Sequence, residues 1–477
     1  MRLFAEHIDG DRPAIRCGPE TLTYAALKQQ VGAAADQLRR AGVEPSSRVA
    51  IAAGGARDGQ SIDNWIAHLA VMAIGATHAS VTWGKGLANL WRAGAINMLV
   101  APPMTGELLP QGLRHVALDR SALSRERLHA LPDKARPGRI NTTSGTTGKP
   151  KIVVWSPSIL EARLGQVASQ LTCESQVAVL LKITTTAGFR YPLATLRAGG
   201  TVVFRHKDEE PSLFETIDRS TLLICSPEQL AQALRNRPGQ WPGRDQRRVV
   251  VLGARMPTDV RDQAIERAAR EIHIGYGSTE GGNIASGDCL HADRHPGAVG
   301  FVREGVTVQV INGRGEQQPP GQRGLIRVRG EAVADGAYTR GADGEPWFYP
   351  GDLGVLFEDG LLAIEGRASE TVNVAGNKYS AAELESRIAD VPGVRELCLC
   401  VVPLAGRDQA TVALVCEPGA NLRDIKLTIG TRLPFEDFGV VSLPRLPRNA
   451  MGKVPRASLA KAIAATIEQE SRELRHA

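Results

Sequence analysis

The chain has 477 residues, which is too many for one hydrophobic core, so at least two domains are expected. Hydrophobic residues make up 43% and charged residues 23%, the composition of an ordinary globular protein rather than of a disordered chain. A formal charge of +6 is small for this length, and no Lys/Arg run is interleaved with aromatic residues, which argues against nucleic-acid binding. No uncharged apolar stretch is long enough to span a bilayer, and charged residues begin at Arg2. We therefore expect a cytoplasmic protein without a membrane span.

The seven cysteines are scattered, and none forms a pair with the spacing of a zinc site. Cys398 and Cys400 alternate with Leu397 and Leu399, which predicts a strand whose two cysteines share a buried face. We interpret the cysteines as small buried hydrophobic residues in a reducing compartment.

Predicted helices and strands alternate through the first two thirds of the chain. The segment Tyr24–Arg40 places its apolar residues on one helical face, and Thr23 can cap its start. A second, more apolar helix is predicted over Trp65–Gly75, with Asn64 as its cap. Short apolar runs predict buried strands at residues 49–53, 177–181, 201–204, 222–224 and 249–252. This alternation predicts an α/β fold of parallel sheets wrapped by helices.

The pattern changes after about Gly297. Short β-branched runs between Gly/Pro-rich turns predict a smaller antiparallel sheet or a β-barrel-like subdomain. A second change at residues 366–370 introduces a helix, two strands and a long C-terminal helix, which predicts a small α+β domain. We therefore predict an N-terminal core of residues 1–367 and a C-terminal domain of residues 368–477.

The strongest local motif is the segment from Thr142 to Lys151, TTSGTTGKPK. Gly145 and Gly148 allow a tight turn whose backbone N–H groups point at an anion, and the hydroxyl and lysine side chains add donors. The motif is not a Walker A sequence, because Pro150 follows Gly-Lys where Ser or Thr is required. Taken alone, the segment can hold a triphosphate or serve as a polar linker.

Two further motifs can contact a nucleotide. In the Gly-rich segment Ile274–Gly282, the ring of Tyr276 can stack on a base and the carboxylate of Glu280 can hold Mg²⁺. Farther along, Asp352 follows a tight Pro-Gly turn, where its carboxylate can accept hydrogen bonds from ribose hydroxyls. Each of these motifs, considered by itself, is also compatible with an ordinary turn.

The last motifs are Gly366-Arg367 and the segment Pro447–Arg456, which contains Lys453. In order and spacing, the motifs resemble those of the adenylate-forming superfamily of acyl- and aryl-CoA synthetases, peptide-synthetase adenylation domains and firefly-type luciferases. The similarity includes the segment NVAGNKYSAAELE at residues 373–385 and covers nearly the whole chain. It implies a large domain of two helix-wrapped, mostly parallel sheets with a small β-barrel-like subdomain, followed by a small mobile α+β domain.

The resemblance also implies a role for each motif residue. Residues that would hold the phosphates of ATP are Thr143, Ser144, Gly145, Thr146, Thr147, Gly148 and Lys149. Residues that would hold adenine or line its site are Gly253, Ala254, Tyr276, Gly277, Ser278 and Thr279. Asp352 and Arg367 would hold the ribose. Glu280 and Thr147 would lie at Mg²⁺ and the α-phosphate, and Lys453 would bridge that phosphate to the substrate carboxylate, so these three are the implied catalytic residues.

The reaction implied by the resemblance has two steps. The carboxylate of an acid attacks the α-phosphate of ATP and releases pyrophosphate, and a thiol then displaces AMP from the acyl-adenylate. The thiol can belong to coenzyme A or to the phosphopantetheine of an acyl carrier protein, and the sequence leaves both open. The small domain would rotate between the steps. Its hinge would be Ser369 or a neighbour, because the family has Asp or Lys after the GRx motif, and here Gly366-Arg367-Ala368 is followed by Ser369 and Glu370.

The implied substrate is a small carboxylic acid. An α-amino acid is disfavoured, because the segment Lys182–Arg190 offers no acidic partner for its ammonium group, so an aromatic or acyl acid is expected. Candidate pocket residues are Phe189, Arg190, Cys225, Arg255 and Asn283. The alternative function is that of a nucleotide-binding protein or NTPase without acid–thiol ligase activity.

Overall fold

A computed structural model describes residues 2–5, 8–52, 59–81, 83–103, 109–123, 131–132, 135–143, 151–207, 209–374, 377–404, 407–448 and 454–476. The chain divides into two compact units. The first comprises Met1–His291, Val299–Thr307 and Arg329–Thr339, and the second comprises Ala292–Ala298, Val308–Val328 and Arg340–Ala477. A functional domain boundary at residues 367/368 stays a prediction.

The α-helices of the described residues are α1 (Tyr24–Arg40), α2 (Ile62–Ile74), α3 (Lys85–Arg92), α4 (Pro157–Ala168), α5 (Thr186–Ala198), α6 (Glu210–Asp218), α7 (Pro227–Asn236), α8 (Thr258–Arg267), α9 (His291–Arg294), α10 (Ala381–Arg387), α11 (Leu422–Arg432) and α12 (Arg456–His476). Within the described part of the chain, none of these helices combines the length and the hydropathy needed to cross a membrane.

The strands up to the end of β14 are β1 (Pro13–Cys17), β2 (Glu20–Thr23), β3 (Arg48–Ile51), β4 (Thr77–Ser80), β5 (Met98–Ala101), β6 (Arg114–Ala117), β7 (Arg139–Thr143), β8 (Lys151–Trp155), β9 (Gln176–Val179), β10 (Thr201–Phe204), β11 (Leu222–Cys225), β12 (Arg248–Leu252), β13 (Glu271–Ser278) and β14 (Gly282–Asp288). The later strands are β15 (Ala298–Val302), β16 (Val306–Ile311), β17 (Arg323–Gly330), β18 (Thr339–Arg340), β19 (Pro346–Trp347), β20 (Asp352–Leu356), β21 (Leu361–Arg367), β22 (Thr371–Val374), β23 (Asn377–Ser380), β24 (Val394–Leu404), β25 (Arg407–Cys416) and β26 (Gly439–Ser442).

Two mostly parallel sheets form the first unit. One runs in the order β6-β5-β3-β4-β7-β8, with parallel pairing throughout except between β7 and β8. In the other, β13, β12, β11, β9, β10 and β1 are parallel neighbours, flanked by antiparallel β14 and β2. The predicted α/β class is confirmed.

Apolar residues cover both faces of these sheets, which explains why their strands are continuous hydrophobic runs. Val49 and Ile51 of β3 face a core that also contains Val177 and Val179 of β9, together with residues of α1, α2 and α5. The alternate residue Ala50 faces a second core with α3. Residues of α4 belong to the same core as those of α1, α2 and α5, and residues of α7 and α8 form a separate core on the other face of the second sheet.

Side-chain capping determines where the first helices begin. The predicted cap of α1 is confirmed, because Thr23 Oγ1 accepts a hydrogen bond from the N–H of Ala26. The predicted cap of α2 was wrong. The helix begins earlier, and Ser61 Oγ accepts from the N–H of Asn64, which lies inside the first turn. Either polar residue can cap a helix, so composition alone does not choose between them.

The second unit contains antiparallel strands followed by α+β structure. Strands β17, β20 and β21 pair antiparallel. After them come the β22–β23 hairpin and a three-stranded sheet in which β24 pairs antiparallel with β25 and β25 pairs parallel with β26. Cys398 and Cys400 lie on one buried face of β24, 2% and 3% exposed, which confirms the predicted alternation.

Candidate active site

The predicted adenine residues lie at the carboxyl ends of the parallel strands in the first unit, the edge at which open α/β sheets bind ligands. Gly253 and Ala254 directly follow β12, and Tyr276 lies near the end of the neighbouring strand β13. Leu252 is the Cα partner of Gly275, so the Gly253-Ala254 turn begins beside Tyr276. The structure therefore brings the two predicted parts of the adenine site together.

Glycines in this region allow chain segments to approach closely. A Cβ on Gly275 would lie 2.4 Å from Cδ2 of Leu252, and one on Gly277 would lie 2.0 Å from the carbonyl oxygen of Gly282. Gly253 has a φ of 98°, a backbone conformation that favours glycine. Close packing therefore explains why glycine occurs at these positions of the motif.

The predicted phosphate loop connects β7 to β8. Its flanking residues Thr143 and Lys151 are Cα partners in the antiparallel pair. The predicted phosphate ligands Ser144, Gly145, Thr146, Thr147, Gly148 and Lys149 lie outside the described residues. The base of the loop is described, and it lies next to another predicted part of the site.

Glu280 lies beside the base of the phosphate loop. The Nζ atom of Lys151 is 3.8 Å from Oε1 of Glu280, with side-chain exposures of 60% and 17%. On the same strand as Lys151, Trp155 Nε1 donates a hydrogen bond of 3.1 Å to the carbonyl oxygen of Thr279. Two contacts thus join β8 to the turn between β13 and β14.

A buried arginine that the sequence analysis did not identify holds this turn from α4. Arg163 Nη2 donates to the carbonyl oxygen of Glu280 at 2.8 Å, and its Nε donates to that of Ala332 at 2.9 Å. Its guanidinium lies 4.1 Å from the ring centroid of Trp155. Burial, followed by the neighbouring charge of Arg190, lowers the pKa of Arg163 to about 9. Arg163 therefore fixes the main chain at Glu280.

The predicted ribose residues form an ion pair in the second unit. Asp352 and Arg367 are Cα partners in β20 and β21, and Arg367 Nε lies 2.9 Å from Oδ1 of Asp352. The Arg367 Nη1 atom also donates to the carbonyl oxygen of Pro350 at 2.6 Å. Gly351 has a φ of 80°, which gives the tight turn predicted before Asp352. The carboxylate is thus held in one orientation.

Lys453 lies outside the described residues, but the structure describes Arg456 of the same motif. Arg456 Nη2 donates to Oε2 of Glu385 at 2.7 Å, and its Nε donates to Oε2 of Glu370 at 2.9 Å. Burial alone would lower the pKa of Arg456, but hydrogen bonds and the charge of Glu385 outweigh burial and raise it. The motif is therefore anchored to α10 and to the segment predicted as the hinge.

The candidate pocket residues occupy different environments. Phe189 is fully buried and stacks on Trp65 at 5.4 Å, while Arg190 is 6% exposed. Cys225 is enclosed in the core on the outer face of the sheet, where burial raises the pKa of its thiol to about 12.

The other two candidate pocket residues are not core residues of this kind. Arg255 is exposed. Asn283 lies on β14, where its main chain exchanges hydrogen bonds with the side chain of Gln166.

Comparison with known proteins shows to which protein family the chain belongs. The family model described as "AMP-binding enzyme" matches residues 4–338, more than half of the chain, and the chain belongs to this family. The resemblance to the adenylate-forming superfamily is therefore confirmed.

Individual relatives agree with this membership. An indoleacetate–CoA ligase of Aromatoleum aromaticum is 29% identical over 68% of this chain, and the match spans 66% of the relative, slightly under two thirds of its length. A feruloyl-CoA synthase of an Amycolatopsis species is 26% identical over 92% of this chain and 94% of the relative. The structure of ATP-bound MatB from Rhodopseudomonas palustris has a TM-score of 0.80 at 24% identity, covering 95% of this chain and 96% of that one, which confirms the fold.

Proposed function

We propose that this chain is an ATP-dependent ligase that converts a carboxylic acid to its acyl-adenylate and then transfers the acyl group to a thiol. The contact between Lys151 and Glu280 carries the proposal, because it joins the base of the predicted phosphate loop to the turn predicted at the α-phosphate. Membership of the AMP-binding enzyme family supports the adenylation step. The names of the two ligase relatives support transfer to a thiol.

In the first step the substrate carboxylate attacks the α-phosphate of ATP, and pyrophosphate leaves. Both reactants are anions, so the protein accelerates the step mainly by positioning them and by neutralising charge. Lys151 and the lysine and hydroxyl side chains of residues 144–149 supply positive charge and donors around the triphosphate. Tyr276 and the Gly253-Ala254 turn hold the adenine, and Asp352 with Arg367 holds the ribose.

The residues present fit a magnesium ion held together with the nucleotide. Mg²⁺ in nucleotide sites takes one or two protein carboxylates and completes its shell with phosphate oxygens and water. Glu280 offers one half-buried carboxylate, and no cluster of three or more metal-ligating side chains occurs among the residues that the structure describes. When bound, the ion would neutralise charge on the phosphates. Glu280 would hold it, with Thr147 as the second proposed ligand.

Lys453 is proposed to neutralise the repulsion between the attacking carboxylate and the α-phosphate. A lysine suits this role because its compact ammonium charge lies on a flexible stem. In the second step the C-terminal domain, residues 368–477, would rotate at Ser369 or a neighbour and remove the lysine, so that a thiol can reach the adenylate.

Coenzyme A is the proposed acceptor and an aromatic or acyl acid the proposed substrate class, because both ligase relatives are named as CoA enzymes of aromatic acids. The test combines acid-dependent exchange of pyrophosphate into ATP across a panel of acids with mass spectrometry of the products. We expect exchange with at least one acid and an acyl-CoA thioester. A thioester formed only on the phosphopantetheine of a carrier protein would replace coenzyme A as the acceptor. No exchange with any acid would contradict the proposed function.

A further inference from the structure

Arg190, in the first turns of α5, is a buried cation whose charge no carboxylate among the described residues neutralises. The residue is 6% exposed, and its enclosed Nε atom has no hydrogen-bond partner in the part of the chain that the structure describes. Its nearest aromatic contact is Tyr191, with the guanidinium 5.6 Å from the ring centroid. Burying an arginine in this way is unfavourable unless an anion compensates it.

Two other arginines of the described chain lie near enough to interact with the charge of Arg190. Burial lowers the pKa of Arg190, and the charge of Arg303 lowers it further against the opposing effect of Tyr191. Arg303 in turn donates to neutral acceptors, the carbonyl oxygen of Gln166 at 2.6 Å and Oγ of Ser286 at 3.3 Å. Burial lowers the pKa of Arg163, the charge of Arg190 lowers it further, and the carboxylate of Glu280 has a smaller opposing effect. Arg163, Arg190 and Arg303 therefore form a cationic cluster, which we call the arginine cluster.

The arginine cluster adjoins the proposed active site within the first unit. Helix α5 begins at Thr186, shortly after the carboxyl end of β9, at the same edge of the sheet as Tyr276. Arg163 holds the main chain of Glu280, and Arg303 contacts β14 three residues beyond Asn283. The cluster therefore lies beside the turn assigned to the α-phosphate, where an acid substrate must also bind.

We propose that the arginine cluster is an anion subsite of the acid pocket, and that the preferred substrate carries a second carboxylate besides the one that is adenylated. This inference rests on the proposed function and narrows it to dicarboxylic acids. The second carboxylate accepts charge-assisted hydrogen bonds from Arg190 and replaces the water that its guanidinium loses on burial. An acid without that group leaves Arg190 uncompensated and binds more weakly.

The experiment compares pairs of acids in which a methyl group replaces the second carboxylate, such as succinate with butanoate and benzene-1,3-dicarboxylate with 3-methylbenzoate. Acid-dependent pyrophosphate exchange of the full chain gives kcat/KM for each acid. We expect a dicarboxylate to exceed its monocarboxylate partner by at least about tenfold, the effect of one or two charge-assisted hydrogen bonds. Arg190→Met removes this preference by lowering kcat/KM for the dicarboxylate, and Arg190→Lys restores part of it.

Arg197→Met is the matched control. Arg197 lies two turns farther along α5, where its guanidinium forms an ion pair with the exposed Glu161 at 2.6 Å. This variant keeps the preference of the unsubstituted chain. If thermal unfolding shows that Arg190→Met does not fold, kcat/KM for each pair of acids is compared in Arg303→Gln instead. This variant should also lose the preference for the dicarboxylate.

A preference of the unsubstituted chain for monocarboxylates would overturn the inference while leaving the proposed function intact. An equal fall of kcat/KM for both acids of each pair in Arg190→Met, at the melting temperature of the unsubstituted chain, would also overturn it. Arg190 would then not bind the second carboxylate. Absence of exchange with every acid would instead contradict the proposed function.

Discussion

The Nζ atom of Lys151 and the Oε1 atom of Glu280 lie 3.8 Å apart. The two residues belong to motifs that are far apart in the sequence, and nothing in either motif specifies the other. In the proposed reaction both side chains act on the same phosphates, Lys151 by direct attraction and Glu280 through magnesium. Their contact makes Glu280 the first residue to test.

Glu280→Gln should lower kcat/KM for acid-dependent pyrophosphate exchange by about 100-fold, as expected when one preorganised electrostatic contact to the reacting phosphate is removed. The loss should be partly recovered at high magnesium concentration, because a neutral amide binds the ion more weakly. Glu161→Gln, an exposed change on α4, is the control and should have no effect on exchange. Equal magnesium dependence in Glu280→Gln and the unsubstituted chain would rule out a metal-holding role.

Asp352→Asn should weaken recognition of the ribose. The carboxylate accepts hydrogen bonds more strongly than an amide, so kcat/KM for ATP should fall by about 10- to 100-fold. Discrimination between ATP and 2′-deoxy-ATP should shrink in the same variant. Asp359→Asn, which alters an exposed aspartate whose nearest cation, Arg294, is 3.9 Å away, should leave both quantities unchanged. Unaltered discrimination in Asp352→Asn would show that Asp352 does not contact the ribose.

Glu385→Gln should destabilise the second unit. It removes one of the two carboxylates that compensate Arg456, whose side chain is 20% exposed, and should lower the free energy of unfolding by about 2 kcal/mol. Glu383→Gln on the same helix breaks an exposed pair with Arg387 and should change stability by less than about 0.5 kcal/mol. Chemical denaturation measures both variants, and equal stabilities would contradict the structural role given to Arg456.

Two buried histidines should make stability depend on pH. Burial lowers the pKa values of His68 and His78 well below 6.5, and the charge of Arg139 lowers both further. The folded chain keeps both rings neutral, while the unfolded chain binds protons below about pH 6.5, so stability falls as pH decreases. Between about pH 6.5 and 5.5 the two rings together should reduce the free energy of unfolding by about 2 kcal/mol.

The measurement is urea denaturation at several pH values, and the comparison is with His78→Gln, in which the pH-dependent loss should be about half as large. His68 Nδ1 lies 3.0 Å from His78 Nδ1, so the variant replaces one partner of a buried contact and lowers stability at every pH. The test of His78 titration is therefore the slope of the free energy of unfolding against pH, and not the free energy at any one pH. An identical slope in both proteins would show that His78 titrates normally in the folded chain.

Local patterns in the sequence predicted the parts of the fold that depend on local chemistry. Continuous β-branched runs predicted the buried strands, and Thr23 predicted the start of α1, because a single side chain can satisfy the first N–H groups of a helix. The alternation of Cys398 and Cys400 with two leucines predicted a buried strand face, because alternate side chains of a strand point to the same side. The cap of α2 was wrong because two suitable polar residues stand near its start.

Contacts between distant segments could not be predicted in this way. Arg163 holds the turn at Glu280, yet in the sequence it is one arginine on a mixed helix. The ion pair between Arg456 and Glu385 joins two motifs that are 71 residues apart in the sequence. Arg190 was a candidate pocket residue, but its uncompensated charge became visible only when the fold placed Arg163 and Arg303 beside it.

The central claim is that this chain adenylates a carboxylic acid with the help of Lys453. Acid-dependent exchange of labelled pyrophosphate into ATP, compared between the unsubstituted chain and Lys453→Ala, tests it most directly. We predict exchange with at least one acid, its loss by about 100-fold or more in Lys453→Ala, and unchanged binding of ATP by both proteins. Exchange that is equal in the two proteins, or absent from the unsubstituted chain with every acid, would contradict the account.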